Sequence, residues 1–299
     1  MLAKLLRWLI LFQVLVGACL GYWLAMAQQW HPASALLLAA LMPFFSMLLI
    51  DTVSALLSRM PDAPVAQWLR SLVGEFKAGV VVFLFRQPWS LQIPTVMPAT
   101  ASEKTKVPVV LVHGYMCNHR IWDDISMALR AQGHAVFAVN LEPLFGSIDR
   151  YAPVVQVAVE ALQAHTGQQK VALVGHSMGG LAIRAWMRVH GTDSVAQVLT
   201  LGTPHAGTKL AKGATTTNGQ QMLWHSDWLA ALAAQESNAV RRLIQIAITP
   251  QDNIVCPQRA QVLDGISPVV FEGIGHVEMC LHPPVIQWVT KQLGSLTTP

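Results

Sequence analysis

Apolar residues crowd the front of the chain and then settle into short blocks separated by polar turns. Trp8 to Ala27 is a run of 20 residues without a charge, about 30 Å as a helix and long enough to cross a bilayer. Ala33 to Ile50 is a second uncharged run, interrupted by Pro43 and closed by Asp51. The short link Gln28-Gln29-Trp30-His31-Pro32 predicts that the two runs form a helical hairpin. From Ser58 to Ala101 the pattern is broken by Pro61, Pro64, Pro88, Pro94 and Pro98, and only Ala78 to Phe85 is apolar enough for an early strand or a membrane-contacting helix. Beyond this region the runs Val109–Val112, Val171–Val174, Leu243–Ile248 and Val269–Phe271 read as strands. Leu181–Met187 is helix-compatible, and Val285–Val289 behind Pro283-Pro284 reads as the start of a last helix. These shifts divide the chain into a membrane-anchoring helical region (1–60), a connecting region (61–104) and an α/β domain (105–299).

Composition sharpens the first of these divisions. At 53% hydrophobic and 12% charged residues, with mean hydropathy +0.42, the chain is too apolar for an ordinary soluble protein throughout. Lys4 and Arg7 precede the first run, Arg59 follows the second, and the link between them has no Lys or Arg. The positive-inside rule then places both ends of the hairpin in the cytoplasm, with the α/β domain on that side of a bacterial inner membrane. Ala25-Met26-Ala27 also fits a signal-peptidase site, and a periplasmic or secreted protein follows if the second run fails to span. The net charge of +4 is not gathered into a basic stripe, so no nucleic-acid partner is expected. Arg59, Arg70, Lys77 and Arg86 suit a segment beside anionic headgroups. The cysteines at 19, 117, 256 and 280 have neither metal-ligand nor disulfide-framework spacing and are expected to be reduced.

The chemistry begins at Gly175-His176-Ser177-Met178-Gly179, between a strand and a helix. Glycines two residues before and two after the serine let the backbone turn sharply while the Ser177 hydroxyl stays exposed. A serine hydroxyl is a poor nucleophile at neutral pH, so it needs a histidine base and a carboxylate that orients the base. Asp252 lies on a loop after the Leu243–Ile248 strand, and His276 follows the Val269–Phe271 strand behind Gly273 and Gly275. Asp264 and Glu272 are rival acids without that placement. His282 is the rival base, better suited to helix entry. Val109-Val110-Leu111-Val112-His113-Gly114-Tyr115-Met116 has the form of an oxyanion loop. Its expected donor is the N–H of Tyr115, with Met116 as the alternative, alongside the N–H of Met178. His113, His119 and His176 read as structural or surface histidines.

With these residues in place the chain resembles the α/β-hydrolase superfamily, and within it the bacterial triacylglycerol lipases and related esterases. Leu111-Val112-His113-Gly114, the Ser177 elbow, Leu201-Gly202-Thr203-Pro204-His205-Ala206-Gly207-Thr208 and the Asp252 and His276 loops carry the resemblance over about residues 105 to 295. It implies a mostly parallel sheet flanked by helices, with a lid or cap insertion, and acyl-ester hydrolysis through an acyl-enzyme. A calcium site occurs in some of these lipases, but no acidic cluster here matches it, so no metal or cofactor is expected. Lys209 to Arg242 is long for a connection and carries Met222, Leu223, Trp224, Trp228, Leu229 and Leu232. Such an insertion is either a lid over an acyl groove or a cap helix belonging to the core. The same triad also serves an acyltransferase or thioesterase, and an inactive membrane scaffold is the alternative of another class. The partners expected are an acyl-ester substrate and the membrane; acyl length and oligomeric state are not encoded in these patterns.

Overall fold

The computed structural model describes residues 1–100 and 106–296, so the expected domain boundary at 104/105 lies outside the described residues. Helices α1 (Leu2–Gln28) and α2 (Ala33–Ser58) pack as an antiparallel hairpin. Small residues set their closeness: a Cβ on Gly21 would lie 2.4 Å from the Ala35 Cα, and one on Gly17 2.4 Å from the Leu38 carbonyl oxygen. Both helices are long and apolar enough to cross a membrane. Phe12, Tyr22, Trp23, Leu36 and Leu37 are exposed along the hairpin, whereas Leu2 and Leu6 at its base are buried with Leu144 and contact Phe83 and Met116.

The region between hairpin and sheet is more than a tether. Helix α3 (Val65–Gly79) runs on into a π-helical turn, Val80–Arg86, so Ala78 to Phe85 is helical rather than a strand. Ala78 and Val82 are buried in one core with Val109 and Leu111. The Arg86 guanidinium donates two hydrogen bonds of 2.9 Å to the Asp124 carboxylate. Met97 bridges antiparallel to Val136, covering a sheet edge that would otherwise present unpaired backbone.

The six strands are β1 (Lys106–Val112), β2 (His134–Ala138), β3 (Val171–His176), β4 (Val195–Leu201), β5 (Ile244–Ile248) and β6 (Val269–Val270). They form one parallel sheet in the order β2-β1-β3-β4-β5-β6. Four of them coincide with the apolar runs expected from the sequence; β2 and β4 do not. β2 is five residues long, and β4 carries Gln197 and Thr200 within its run. The remaining helices are α4 (Asp123–Ala131), α5 (Ala152–Thr166), α6 (Met178–His190), α7 (Thr217–Gln221), α8 (Asp227–Ala234), α9 (Asn238–Arg242) and α10 (Pro283–Gly294). Residues of α4 and α10, among them Ile125, Leu129, Val285 and Val289, fill the core on one face, and residues of α5 and α6 fill the other. Burial on both faces explains why β1 and β3 read as unbroken apolar runs. Pairings Val112 with Gly175, Leu201 with Ala247 and Ile248 with Val270 bring the strands' C-terminal ends to one edge. Open parallel sheets place their sites at that edge.

Residues 209–242 pack onto the domain. Met222, Leu229 and Leu232 are buried, and the Trp228 indole donates to Asp149 at 3.0 Å. From α6, Arg184 donates to both carboxylate oxygens of Glu236, at 2.7 and 2.8 Å, with side-chain exposures of 0% and 5%. Replacing one member of such a pair strands the other charge in the interior. Arg184→Ala is therefore expected to destabilise the domain by about 3–5 kcal/mol, measured by thermal or denaturant unfolding in detergent. A loss below about 1 kcal/mol would show that this segment is not held this way.

Candidate active site

Ser177 sits between β3 and α6 with φ 55° and ψ −130°, a strained backbone that persists only when its surroundings enforce it. The enforcement is steric. A Cβ on Gly179 would lie 2.0 Å from the Val112 carbonyl oxygen, and one on Gly175 2.6 Å from the Gly180 backbone. No side chain fits at either place, so β3 and α6 meet closely enough to force the turn through the serine. Gly114 serves the opposing loop in the same way, since a Cβ there would meet the Ser177 Cβ at 2.6 Å.

The loops after β5 and β6 bring Asp252 and His276 together. The His276 Nδ1–H donates to Asp252 Oδ2 at 2.8 Å, while Asp252 Oδ1 accepts the N–H groups of Ile254 and Val255 at 2.9 and 2.7 Å. Both residues are buried. Gly202, with φ +55°, leaves the pair room: a Cβ there would stand 3.1 Å from Asp252 Oδ2 and 3.2 Å from His276 Nδ1. Burial alone would depress the His276 imidazolium, but the Asp252 carboxylate, with help from Glu75, holds its pKa above the ordinary histidine value. The rival acids lie elsewhere. Asp264 is exposed and pairs with Arg241, and Glu272 accepts from Gln67. His282 occupies the N-cap position of α10 without a side-chain capping bond.

The neighbouring histidines shape the loops. His113 Nε2 accepts the Leu141 N–H at 2.9 Å, which leaves Nδ1 to donate to the Gly114 carbonyl at 2.8 Å. Burial pushes its pKa down to about 4, so this ring stays neutral and fixes the loop. His176 Nε2 donates to the His276 carbonyl oxygen at 3.0 Å, and burial keeps it neutral as well. Met178 is the first residue of α6, where an N–H has no partner within the helix. Tyr115 and Met116 line the same cavity as Ser177 and His276. Met116 adopts φ 55°. Cys117 also lines the cavity, but burial pushes its thiol up to about 12, which leaves it protonated and unreactive at neutral pH. Among the described residues no group of three or more His, Cys, Asp or Glu side chains is placed to hold a metal ion.

The cavity, about 480 Å³, is walled on one side by α1 and α2 and by no residue of 209–242. The N-terminal elements also hold the loops that carry Asp252 and His276. Glu75 of α3 is buried and accepts the N–H groups of Val277 and Glu278, each at 3.0 Å. Burial pushes its carboxyl up to about 7. Asn253 donates to Ser54 at 3.0 Å, and Gln258 donates to the Ser58 carbonyl at 2.8 Å. No local pattern marks these contacts, because Ser54, Ser58 and Glu75 stand among residues whose pattern speaks only of membrane and linker.

The family model for alpha/beta hydrolases matches residues 109–283, which contain the Ser177 elbow, Asp252 and His276. The chain belongs to the alpha/beta hydrolase family. Among the relatives of this chain, a triacylglycerol lipase of Burkholderia plantarii is 34% identical over 127 residues, 40% of this chain and 35% of that protein. A triacylglycerol lipase of Pseudarthrobacter phenanthrenivorans is 35% identical over 116 residues, 36% of each chain. The chain thus spans about a third of the length of the curated relatives it matches. The mature form of a Bacillus licheniformis lipase superposes with TM-score 0.56 at 17% identity, over 68% of this chain and 98% of that one. Lipase B of Aspergillus fumigatus gives 0.57 at 17% identity, over 69% and 57%. These two likenesses establish the fold.

Proposed function

We propose that this hydrolase is a membrane-anchored serine enzyme that cleaves carboxylic esters, lipid acyl esters foremost, through an acyl-enzyme. The observation that carries the reading is the buried 2.8 Å bond from His276 Nδ1 to Asp252 beside a cavity shared with the strained Ser177. With Nδ1–H committed to Asp252, the base is Nε2. It takes the proton of Ser177 as Oγ attacks the ester carbonyl, and Asp252 stabilises the imidazolium. The N–H groups of Tyr115 and Met178 receive the oxyanion. His276 returns the proton to the leaving alcohol, and water, activated by the same nitrogen, releases the acid. The purified full-length protein should hydrolyse p-nitrophenyl esters; exclusive transfer of the acyl group to an added alcohol or thiol would instead mark an acyltransferase.

In this reading α1 and α2 span the bilayer and the catalytic domain faces the cytoplasm. Lys4 and Arg7 at the domain end of α1 support that orientation. Residues 1–60 are the anchor, 61–104 link it to the sheet and 105–299 form the catalytic domain, with 209–242 as its cap. Residues 61–104 also supply a positioning side chain. In Glu75→Gln the amide keeps one acceptor for the two N–H groups of Val277 and Glu278 and turns a donor toward the other. The turn after His276 should loosen, lowering kcat/KM on a short ester about tenfold. Loss of the carboxylate charge should also move the acid limb of the pH profile to lower pH. An unchanged rate and profile would remove Glu75 from the account.

A further inference from the structure

The cavity at Ser177 is mostly apolar, and its outer wall belongs to the hairpin: Leu9 and Ile10 from α1, Met47 and Ile50 from α2. Leu9 and Ile50 line the cavity and are also 42% and 62% exposed on the hairpin surface. Side chains that both line the cavity and reach the surface mark an opening at the hairpin, whose helices also expose Phe12, Leu48 and Leu49. An anchor that merely held the enzyme near a membrane would not need to reach its serine. Here Leu6, on the same helix that continues to Trp23 and Met26, lies in the wall of the cavity that contains Ser177 and His276. Tyr115 and Met116 of the oxyanion loop line the same cavity, and Met116 packs against the cluster that contains Leu6. A long acyl chain lying between α1 and α2 would thus present its carbonyl where the nucleophile and the loop meet.

We infer that the substrate is a bilayer-resident acyl ester that enters sideways between α1 and α2, and that Leu9, Ile10, Met47 and Ile50 bind its acyl chain. This rests on the serine-esterase reading above and adds to it the source of the substrate and the residues that select its chain. The hairpin, rather than the insertion at 209–242, then takes the place of an acyl-site cover. Each further methylene buried along this wall should raise kcat/KM about fourfold until the space is filled.

The test uses the full-length protein in lipid nanodiscs, with p-nitrophenyl acetate and dodecanoate, the wild type, Ile10→Trp, Met47→Trp and the distal control Leu36→Trp. In both cavity variants the dodecanoate-to-acetate ratio of kcat/KM should fall at least about tenfold. Leu36→Trp, whose residue lies outside the cavity, should keep the wild-type ratio. Ile10→Ala and Met47→Ala widen the wall and should change the ratio for longer chains, so a misfolded Trp variant does not decide the matter. An ester embedded in the enzyme's own nanodisc should be cleaved at least about tenfold faster than the same ester in separate vesicles. Equal ratios in wild type and all cavity variants, or equal rates from the two lipid sources, would overturn the inference. Labelling by a small fluorophosphonate separates the two readings: Ser177 labelled with unchanged chain selectivity rejects only the hairpin's role. An unlabelled wild type that cleaves no ester rejects the esterase and this inference with it.

Discussion

Ser177→Ala is expected to remove ester turnover by about six orders of magnitude, the scale seen when either half of a serine–histidine pair is deleted. In the proposed mechanism this side chain is the nucleophile, and the Cys117 thiol that lines the same cavity stays protonated. Removing one oxygen at a cavity surface leaves no void in the core, so the unfolding transition should barely move. Deleting serine or base should cost about the same, because neither acts without the other. His276→Ala should therefore match Ser177→Ala, whereas His282→Ala, at the start of α10, should retain most activity. Steady-state hydrolysis of a short soluble ester checks all three variants. Loss in His282→Ala with retention in His276→Ala would reassign the base.

Asp252→Asn is expected to lower kcat by about four orders of magnitude and to move the pH profile. The Asn amide has an oxygen where the carboxylate accepted the Nδ1–H, or an NH2 that turns the imidazole into the wrong tautomer. Activity needs His276 neutral so that it can take the serine proton. Its pKa is raised in the folded protein, so wild-type kcat/KM should fall on the acid side through a midpoint above the ordinary histidine value of about 6.5. In Asp252→Asn the burial that depresses the imidazolium is no longer opposed by that charge. The residual activity should then persist to lower pH than in the wild type. A rate near wild type, or a midpoint shifted upward, would contradict the role given to Asp252.

The elements that the sequence makes legible are those whose local chemistry is self-sufficient. The Ser177 turn is written in Gly175 and Gly179 because backbone contacts to Gly180 and Val112 exclude every larger residue. Asp252 and His276 stand out because each leaves an apolar run at the sheet's C-terminal edge. β2 and β4 escape because one is short and the other carries Gln197 and Thr200 in its run. Glu75 escapes for a different reason: it acts on Val277 and Glu278, some two hundred residues away. Nothing local to α3 marks it. The hairpin is legible as apolar helices, yet its place in the cavity wall depends on how Leu2 and Leu6 dock beside Leu144 and Met116. Only the assembled core contains that information. Likewise, Trp228, Leu229 and Leu232 at helical spacing fit a lid as well as a cap, and no local pattern marks the buried Arg184–Glu236 pair that ties this segment to α6.

The central claim is that Ser177 becomes acylated in a cavity completed by the N-terminal helices. Rapid quenching of the full-length protein during turnover of a long-chain ester, followed by intact-mass and peptide mass spectrometry, tests it most directly. The account predicts a transient acyl adduct on the peptide containing Ser177, absent in Ser177→Ala. Ester hydrolysis that proceeds with no adduct at any time, or an adduct carried by another residue, would contradict it.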